Sequence, residues 1–173
     1  MIDVRALSPD DWRTIRSIRL RSLEESPDAF VSTHRHEAAF DEPNWRHRAT
    51  TCRWFVAVDE GTTIGVAGGV DGWSDDPDDR ELVGMWVAPS HRGRGVARRL
   101  LDAVGSWAAS EGAVTLHLGV RGGNHGARAA YLRMGLRPTG VTMASKAAPD
   151  EPFEVLALDL TPHGLDRQDR VER

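Results

Sequence analysis

The apolar and polar positions near the amino terminus predict a strand followed by an amphipathic helix. Residues 2–7 alternate as a strand does, and Ser8-Pro9-Asp10-Asp11 then combines an N-cap, a first-turn proline and an acidic first turn. The helix extends to about Glu25, and its apolar face is formed by Trp12, Ile15, Ile18 and Leu23. A second, less regular helical region covers about 33–49, and Pro43 is expected to interrupt it.

The middle of the chain predicts a hairpin and then a crossover. Residues 54–58 and 63–70 are two strand-like runs joined by a tight turn that contains Glu60-Gly61. After a polar loop at 72–79, a largely buried strand at 81–87 precedes a helix from Gly95 to Ser110 and a further strand at 114–120. A strand, a helix and a strand in this order indicate a right-handed crossover between parallel strands.

The remaining third of the chain predicts one short helix and two strands. Asn124 caps a helix that extends to about Met134, and strands follow at 136–144 and 153–160, separated by a loop at 146–152. No internal repeat or linker divides the sequence. We therefore expect one domain at 1–161 and a flexible tail at 162–173.

Composition narrows the class of protein. The chain has 173 residues, of which 40% are apolar and 28% charged, as in an ordinary globular domain. A net charge of −4 argues against a general nucleic-acid binder, and no apolar run approaches the length of a membrane span. The first residues lack the features of a signal peptide, so a cytoplasmic protein that needs neither nucleic acid nor membrane is expected. Abundant arginine with a single lysine suits a GC-rich bacterial genome.

Cysteine usage gives no sign of a disulfide or a metal site. Cys52 is the single cysteine, so it cannot form an internal disulfide. Without a second cysteine or a spaced histidine cluster it does not indicate a metal site, and a structural role is the simplest interpretation.

A glycine- and arginine-rich loop joins the 81–87 strand to the next helix. It reads Pro89-Ser90-His91-Arg92-Gly93-Arg94-Gly95-Val96-Ala97. Its glycines permit positive φ and leave space for a ligand, while unpaired N–H groups at a helix start attract phosphate. The loop is not a P-loop, and Arg98 replaces the third glycine of a dinucleotide fingerprint. The alternative is that the glycines only shape a turn and the arginines are solvated.

Residues 87–101 closely resemble the central motif of the GNAT acetyltransferase superfamily, Arg/Gln-x-x-Gly-x-Gly/Ala after a strand and a proline. Arg92, Gly95 and Ala97 fill its named positions. A second family pattern follows as Asn124-x-x-Ala127-x-x-x-Tyr131-x-x-x-Gly135-Leu136, with leucine where phenylalanine is more usual. The order of elements over about 1–160 resembles the family as well. The resemblance implies an α/β (α+β) GNAT fold, with a mixed sheet of about seven strands, splayed parallel central strands and about four helices.

The same resemblance implies that acetyl-CoA is the co-substrate. Its pyrophosphate would meet the turn, and its pantetheine arm would pair with backbone groups of the preceding strand. Asn124 and Tyr131 would contact the arm from the other wall of the cleft, although Asn124 is also explained as a plain helix cap. The implied cofactor-binding residues of the strand and the turn are Met85, Trp86, Val87, Arg92, Gly93, Arg94, Gly95, Val96 and Ala97.

Acyl transfer to an amine requires a neutral amine, a stabilised oxyanion and a protonated leaving thiolate. A backbone N–H around Val87 is the candidate oxyanion donor. Tyr131 resembles the family tyrosine that protonates the CoA thiolate, although its spacing also suits a packing face. Glu81 is the candidate general base, although a solvated acid at the start of a strand explains it equally well. His117 and His125 are alternatives, but packing or solvent exposure explains a histidine without a known partner better.

The acceptor stays open at this point. Trp45, Phe30 and Trp73 fall in segments that border the acceptor pocket in the family, yet ordinary packing explains them too. The sequence therefore predicts an acetyl-CoA-dependent N-acetyltransferase that acts on a primary amine of a small molecule, peptide or protein, and a homodimer is compatible with the family. The alternatives are a noncatalytic acyl-CoA-binding regulatory module and, less well supported, a nucleic-acid binder that uses the arginine cluster.

Overall fold

A computed structural model of the protein describes residues 1–72, 76–145 and 148–161. Seven strands form a mixed sheet in the order β1-β2-β3-β4-β5-β7-β6. The strands are β1 (Asp3–Ala6), β2 (Arg53–Asp59), β3 (Thr62–Asp71), β4 (Asp79–Val87), β5 (Thr115–Arg121), β6 (Arg137–Ser145) and β7 (Ala148–Asp159). The α-helices are α1 (Trp12–Glu25), α2 (His34–Ala38), α3 (Glu42–Thr51), α4 (Val96–Ser110) and α5 (His125–Arg133). The mixed seven-stranded sheet predicted from the sequence is confirmed, with five helices in the described residues rather than about four.

The extra helix comes from the region around Pro43. Thr33 caps α2 by accepting a hydrogen bond from the His36 N–H at 3.2 Å, and Asp41 caps α3 by accepting one from the Asn44 N–H at 3.0 Å. Pro43 lies in the first turn of α3, where a missing N–H costs no helical hydrogen bond. The expected interruption of this helical region is confirmed: α2 ends at Ala38, and Pro43 lies at the start of a second helix.

The chain divides into two compact units. The first contains Met1–Val70 with Leu82–Val104, and the second contains Asp71–Glu81 with the described residues from Gly105 onward. The core of the first unit includes the fully buried side chains of Ile15, Leu23, Trp45, Val56, Ile64 and Leu100. The core of the second includes Leu116, Leu118, Leu136, Leu156 and Leu158. The prediction of one domain at 1–161 stays a prediction, and residues 162–173 lie outside the described chain.

Within the first unit, the predicted hairpin is confirmed and it supports α4. β2 and β3 pair antiparallel, with Glu60 and Gly61 at φ values of 48° and 79° in the turn. Gly65 of β3 lies directly beneath α4. A Cβ atom at Gly65 would come within 3.1 Å of both the Leu100 side chain and the carbonyl oxygen of Trp86. The small residue therefore lets α4 and the end of β4 pack tightly on the hairpin.

Within the second unit, Asp79–Glu81 of β4 pairs in parallel with the first three residues of β5, as the predicted crossover requires. β5 pairs antiparallel with β7, and β7 pairs antiparallel with β6. The predicted loop at 146–152 is wrong over most of its length, because β7 begins at Ala148 and continues the β6 hairpin through an irregular register. Residues 146–147 lie outside the described chain. No described helix is long and apolar enough to cross a bilayer.

Candidate active site

The turn between β4 and α4 has the backbone conformation that its glycines predict. Gly93 and Gly95 adopt φ values of 74° and 76°, in the left-handed region where a side chain would be strained. A Cβ atom at either position would meet no other atom within 4 Å. The turn is therefore open on the side where a ligand would approach its backbone.

The amides of this turn are available to an anion. The first helical hydrogen bond of α4 runs from the Arg99 N–H to the Gly95 carbonyl oxygen at 3.1 Å. Within the described chain, the N–H groups from Gly93 to Ala97 have no acceptor. Unpaired amides at a helix N-terminus, together with the helix dipole, form a binding site for phosphate. The turn thus fits the pyrophosphate of a nucleotide cofactor.

Two arginines of the turn make different contacts. Arg92 donates through Nε to the Val87 carbonyl oxygen and through Nη2 to Ser26 Oγ, both at 3.0 Å. Arg94 is about half exposed, and its Nη2 lies 3.7 Å from a carboxylate oxygen of Asp59. Arg92 therefore braces the loop against the end of β4, whereas Arg94 is held only by a loose ion pair.

The two arginines on α4 also have protein partners. Arg98 pairs with Asp102 at 2.9 Å, and Arg99 donates to the carbonyl oxygen of Ile2 at 3.0 Å. The linear sequence places no acid among the four arginines, but the fold brings Asp59 to the turn. Asp59 therefore neutralises part of the positive charge of the arginines. The backbone N–H groups of the turn, which have no acceptor among the described residues, are the better candidates for hydrogen bonds to an anion.

Ser26, which the sequence did not suggest, fixes the end of β4. Trp86 is buried, and its Nε1 donates to Ser26 Oγ at 3.2 Å, while Arg21 stacks over its ring at 5.1 Å. Ser26 follows the last residue of α1 and receives both Trp86 and Arg92. No sequence motif marks Ser26, because its role depends on contacts with residues at least 60 positions away.

A family model described as the acetyltransferase (GNAT) family matches residues 12–136. This range includes the hairpin, the turn between β4 and α4, and the Asn124–Tyr131 pattern. The chain belongs to this family. Acetyl-CoA is the co-substrate of GNAT acetyltransferases, and the open turn with its unpaired amides fits the cofactor's pyrophosphate. The family resemblance carried by the two sequence motifs is thereby confirmed.

Solved structures of the same fold agree with this assignment. The yncA protein of Salmonella typhimurium, solved with its cofactor acetyl-CoA, is 20% identical, has a TM-score of 0.71, and matches 94% of this chain and 96% of its own. A GNAT-family protein from Desulfovibrio desulfuricans is 18% identical over 93% and 100% of the two chains, with a TM-score of 0.72. The ribosomal-protein-alanine N-acetyltransferase of Brucella melitensis is 18% identical over 91% and 99%, with a TM-score of 0.67. A comparison with curated protein sequences gives no match.

The two residues of the second motif lie on α5 in the second unit. Asn124 caps α5, and its Oδ1 accepts a hydrogen bond from the Ala127 N–H at 3.1 Å. Tyr131 is 9% exposed, and burial raises the pKa of its phenol well above the ordinary value of 10.0. The phenol is therefore protonated throughout the neutral and moderately alkaline range, which is the state that a proton donor needs.

The candidate bases Glu81 and His117 face each other across the parallel ladder of β4 and β5. Asp79 is buried, and its carboxylate forms a hydrogen bond with Nδ1 of His117. An imidazole held at Nδ1 by a carboxylate is fixed in orientation, with Nε2 as its other ring nitrogen. Glu81 is half-buried, and His125 is exposed at the start of α5. The sequence suggested His117 as a candidate but not its pairing with Asp79.

The aromatic candidates for the acceptor pocket, Trp45 and Phe30, have different surroundings. Trp45 is completely buried and packs beside Phe40, with ring centroids 5.8 Å apart, so its observed contacts are those of a core residue. Phe30 lies against the guanidinium of Arg19, whose carbon is 4.5 Å from the ring centroid. Trp73 lies outside the described residues.

Proposed function

We propose that this GNAT-family protein transfers the acetyl group of acetyl-CoA to a primary amine. The observation that carries the proposal is the row of unpaired N–H groups from Gly93 to Ala97 at the start of α4, which suits the cofactor's pyrophosphate. An amine as acceptor is supported by the neighbour from Brucella melitensis, whose name specifies N-acetylation of an alanine.

In the proposed reaction, the amine nitrogen attacks the thioester carbonyl carbon. A carbon–nitrogen bond forms, the carbon–sulfur bond breaks, the nitrogen loses a proton to the base, and the thiolate of CoA receives a proton. Met85, Trp86 and Val87 hold the pantetheine arm through their backbone, a backbone N–H near Val87 stabilises the oxyanion, and Asn124 contacts the arm. Tyr131 supplies the proton to the thiolate.

Glu81 is the proposed general base. An alkylammonium with a pKa near 10 must lose its proton before attack, and a half-buried carboxylate can accept that proton directly or through water. His117, oriented by Asp79, is the second candidate for the same step. Glu81 and His117 are register partners in β4 and β5. Substituting each residue separately can show which of them accepts the proton.

The function is tested by combining a binding and a turnover measurement on the whole chain. Acetyl-CoA and desulfo-CoA are titrated by calorimetry, and thiol release is then followed with amino acids, polyamines, small amines and peptides. The expected result is binding of both cofactor forms and amine-dependent thiol release with an acetylated product identified by mass spectrometry. Binding without turnover across the panel would instead support an acyl-CoA-binding regulatory module, and no binding would refute both.

A further inference from the structure

A cavity of about 210 Å³ lies within the first unit, beside the middle of β4. Its lining includes Arg19, Arg48, Thr51, Cys52, Trp54 and Val83. The two arginines make it unlike an ordinary packing defect, since arginine is almost never fully buried unless it is paired. The charges and hydrogen bonds of these arginines indicate what the cavity binds.

Arg19 is held rigidly but has one unpaired group. It is 6% exposed, and its Nε and Nη2 atoms donate to the carboxylate of Glu37 at 2.9–3.2 Å. The guanidinium also lies over the ring of Phe30, with its carbon 4.5 Å from the ring centroid. Nη1 is buried and has no hydrogen-bond partner among the described residues. A charged donor left unpaired in this way costs stability, and a bound acceptor would remove that cost.

The charge balance of the cluster favours an anion. Arg48 Nη1 also donates to Glu37, at 2.8 Å, so two guanidinium groups share one carboxylate and one positive charge is left over. The other described residues that line the cavity carry no charge. A single carboxylate would neutralise the excess and would supply the acceptor that Arg19 Nη1 lacks. Hydrogen bonds between guanidinium and carboxylate are among the strongest that a protein makes.

Gly84 connects this cavity with the strand that is proposed to bind the acyl-carrying arm. It has a φ of 64°, and a Cβ atom there would lie 3.4 Å from the Trp54 ring and 3.7 Å from Arg19 Nη1. A side chain at this position would therefore narrow the cavity at its unpaired donor. Gly84 immediately precedes Met85–Val87, so a molecule bound at Arg19 Nη1 lies against the same strand as the pantetheine arm.

We propose that Arg19 binds the carboxylate of the acetyl acceptor in this cavity, so that the acceptors are primary amines that also carry a carboxylate. The proposal rests on the proposed function for the identity of the reaction. It makes a separate claim about binding, namely that the cavity selects carboxylates whether or not acetyl transfer occurs.

Acceptor selectivity is measured with matched pairs, each an amino acid and its carboxamide, assayed at the same concentration of the neutral amine. The acid of a preferred pair is expected to have a kcat/KM about 10- to 100-fold higher than the amide. Arg19→Met removes this guanidinium and the surplus positive charge, while Glu37 keeps its ion pair with Arg48, and it should abolish the preference. Arg16→Met removes an exposed positive charge from the same helix and should preserve it. Equal rates for acids and amides in the native protein would overturn the proposal.

A second measurement does not require acetyl transfer. Cys52 lines the cavity and is the single cysteine, so alkylation of the chain reports on this position alone. The ratio of the alkylation rates by iodoacetate and iodoacetamide is compared between the native protein and the urea-unfolded chain. Carboxylate binding predicts a ratio about tenfold higher in the native protein, with competition by acetate and with loss of the effect in Arg19→Met.

The two measurements separate the two proposals. An iodoacetate preference without acetylation of any amine would support the carboxylate site and refute the proposed reaction. Acetylation of acids and amides at equal rates, with the same alkylation ratio in native and unfolded protein, would support the reaction and refute the carboxylate site. A Cys52 thiol that neither reagent reaches in the native protein would mean that the cavity is closed to carboxylates, and it would also refute the site.

Discussion

The guanidinium of Arg92 donates from Nε to the carbonyl oxygen of Val87 at 3.0 Å, which ties the turn between β4 and α4 to the end of β4. The first residue of the turn motif is therefore engaged with protein groups at two of its nitrogens, because Nη2 also contacts Ser26. This contact makes the position of the turn depend on Arg92, and the position of its N–H groups decides how well a pyrophosphate fits.

Replacing Arg92 should loosen the turn more than replacing Arg94 does. Arg92→Ala is expected to lower the free energy of unfolding by about 1 kcal/mol through loss of a charge-assisted hydrogen bond, and to weaken acetyl-CoA binding. Arg94→Ala removes the same charge from the same turn but only a loose ion pair at 3.7 Å, so its stability should be close to that of the wild type. Chemical denaturation and calorimetric titration measure both effects, and equal losses in the two variants would contradict the bracing role.

Gly95→Asp should prevent CoA binding. The substitution places a β-carbon and a negative charge where the pyrophosphate is expected, at a φ of 76° that is strained for aspartate. Gly112→Asp is the matched control, because Gly112 has a φ of 90° and equally open surroundings but lies after the end of α4. Both variants should lose similar stability in thermal unfolding, and only Gly95→Asp should lose binding in a CoA titration. Normal CoA binding by Gly95→Asp would place the pyrophosphate elsewhere.

Tyr131→Phe should preserve CoA binding and lower kcat by about 100-fold, as expected for loss of a general acid. Because burial raises the pKa of Tyr131 above 10.0, the phenol keeps its proton at pH values where an exposed tyrosine begins to ionise. Deprotonation of Tyr131 should therefore cause no decline in rate between neutral pH and pH 10.0. Single-turnover rates over this pH range measure both points, and an unchanged rate in Tyr131→Phe would remove the residue from the mechanism.

Glu81→Gln and His117→Asn distinguish the two candidate bases. If Glu81 accepts the amine proton, Glu81→Gln should lower kcat/KM by about 100-fold near neutral pH. His117→Asn should change kcat/KM only a few-fold, as a residue that supports β4 and β5 through Asp79 would. The reverse result would assign the base to the Asp79–His117 pair. Equilibrium unfolding of each variant controls for loss of structure.

Glu37 should make the free energy of unfolding depend on pH. Burial alone would raise the pKa of Glu37. The hydrogen bonds and charge of Arg19 and the charge of Arg48 lower it by more, so the pKa of Glu37 lies below its ordinary value of 4.5. A lowered carboxyl pKa contributes stability that is present above 4.5 and is lost as the pH falls through the folded-state pKa.

Glu37→Gln should therefore cost about 3 kcal/mol at pH 7, because two arginines lose their shared carboxylate. The difference from the wild type should shrink below pH 4.5, since the wild type then loses the same charge. Urea unfolding at several pH values measures the difference. Glu42→Gln, which alters an exposed ion pair with Arg46, is the control and should show little pH-dependent difference. A constant difference at all pH values would contradict the ion-pair account.

The fold could be predicted well wherever local signals agree. Apolar periodicity, the Asn124 cap and the Glu60-Gly61 turn each lie within about ten residues of the element that they define, and the structure contains all three. Prolines indicated the break before α3 but not the extent of β7, because proline is compatible with both the end of one element and the start of another. Pro43 begins α3, and the predicted loop at 146–152 overlaps the start of β7.

By itself, the sequence determined the conformation of the turn between β4 and α4. Two glycines, a helix start and a preceding strand are neighbours along the chain, so local backbone chemistry is enough to produce unpaired N–H groups at Gly93–Ala97. Tertiary structure alone decided which side chains surround that turn and which lie together in the cavity. Arg19 meets Glu37 across 18 positions, and Asp79 meets His117 across 38. Contacts at such separations depend on strand register and helix packing, which no local pattern specifies.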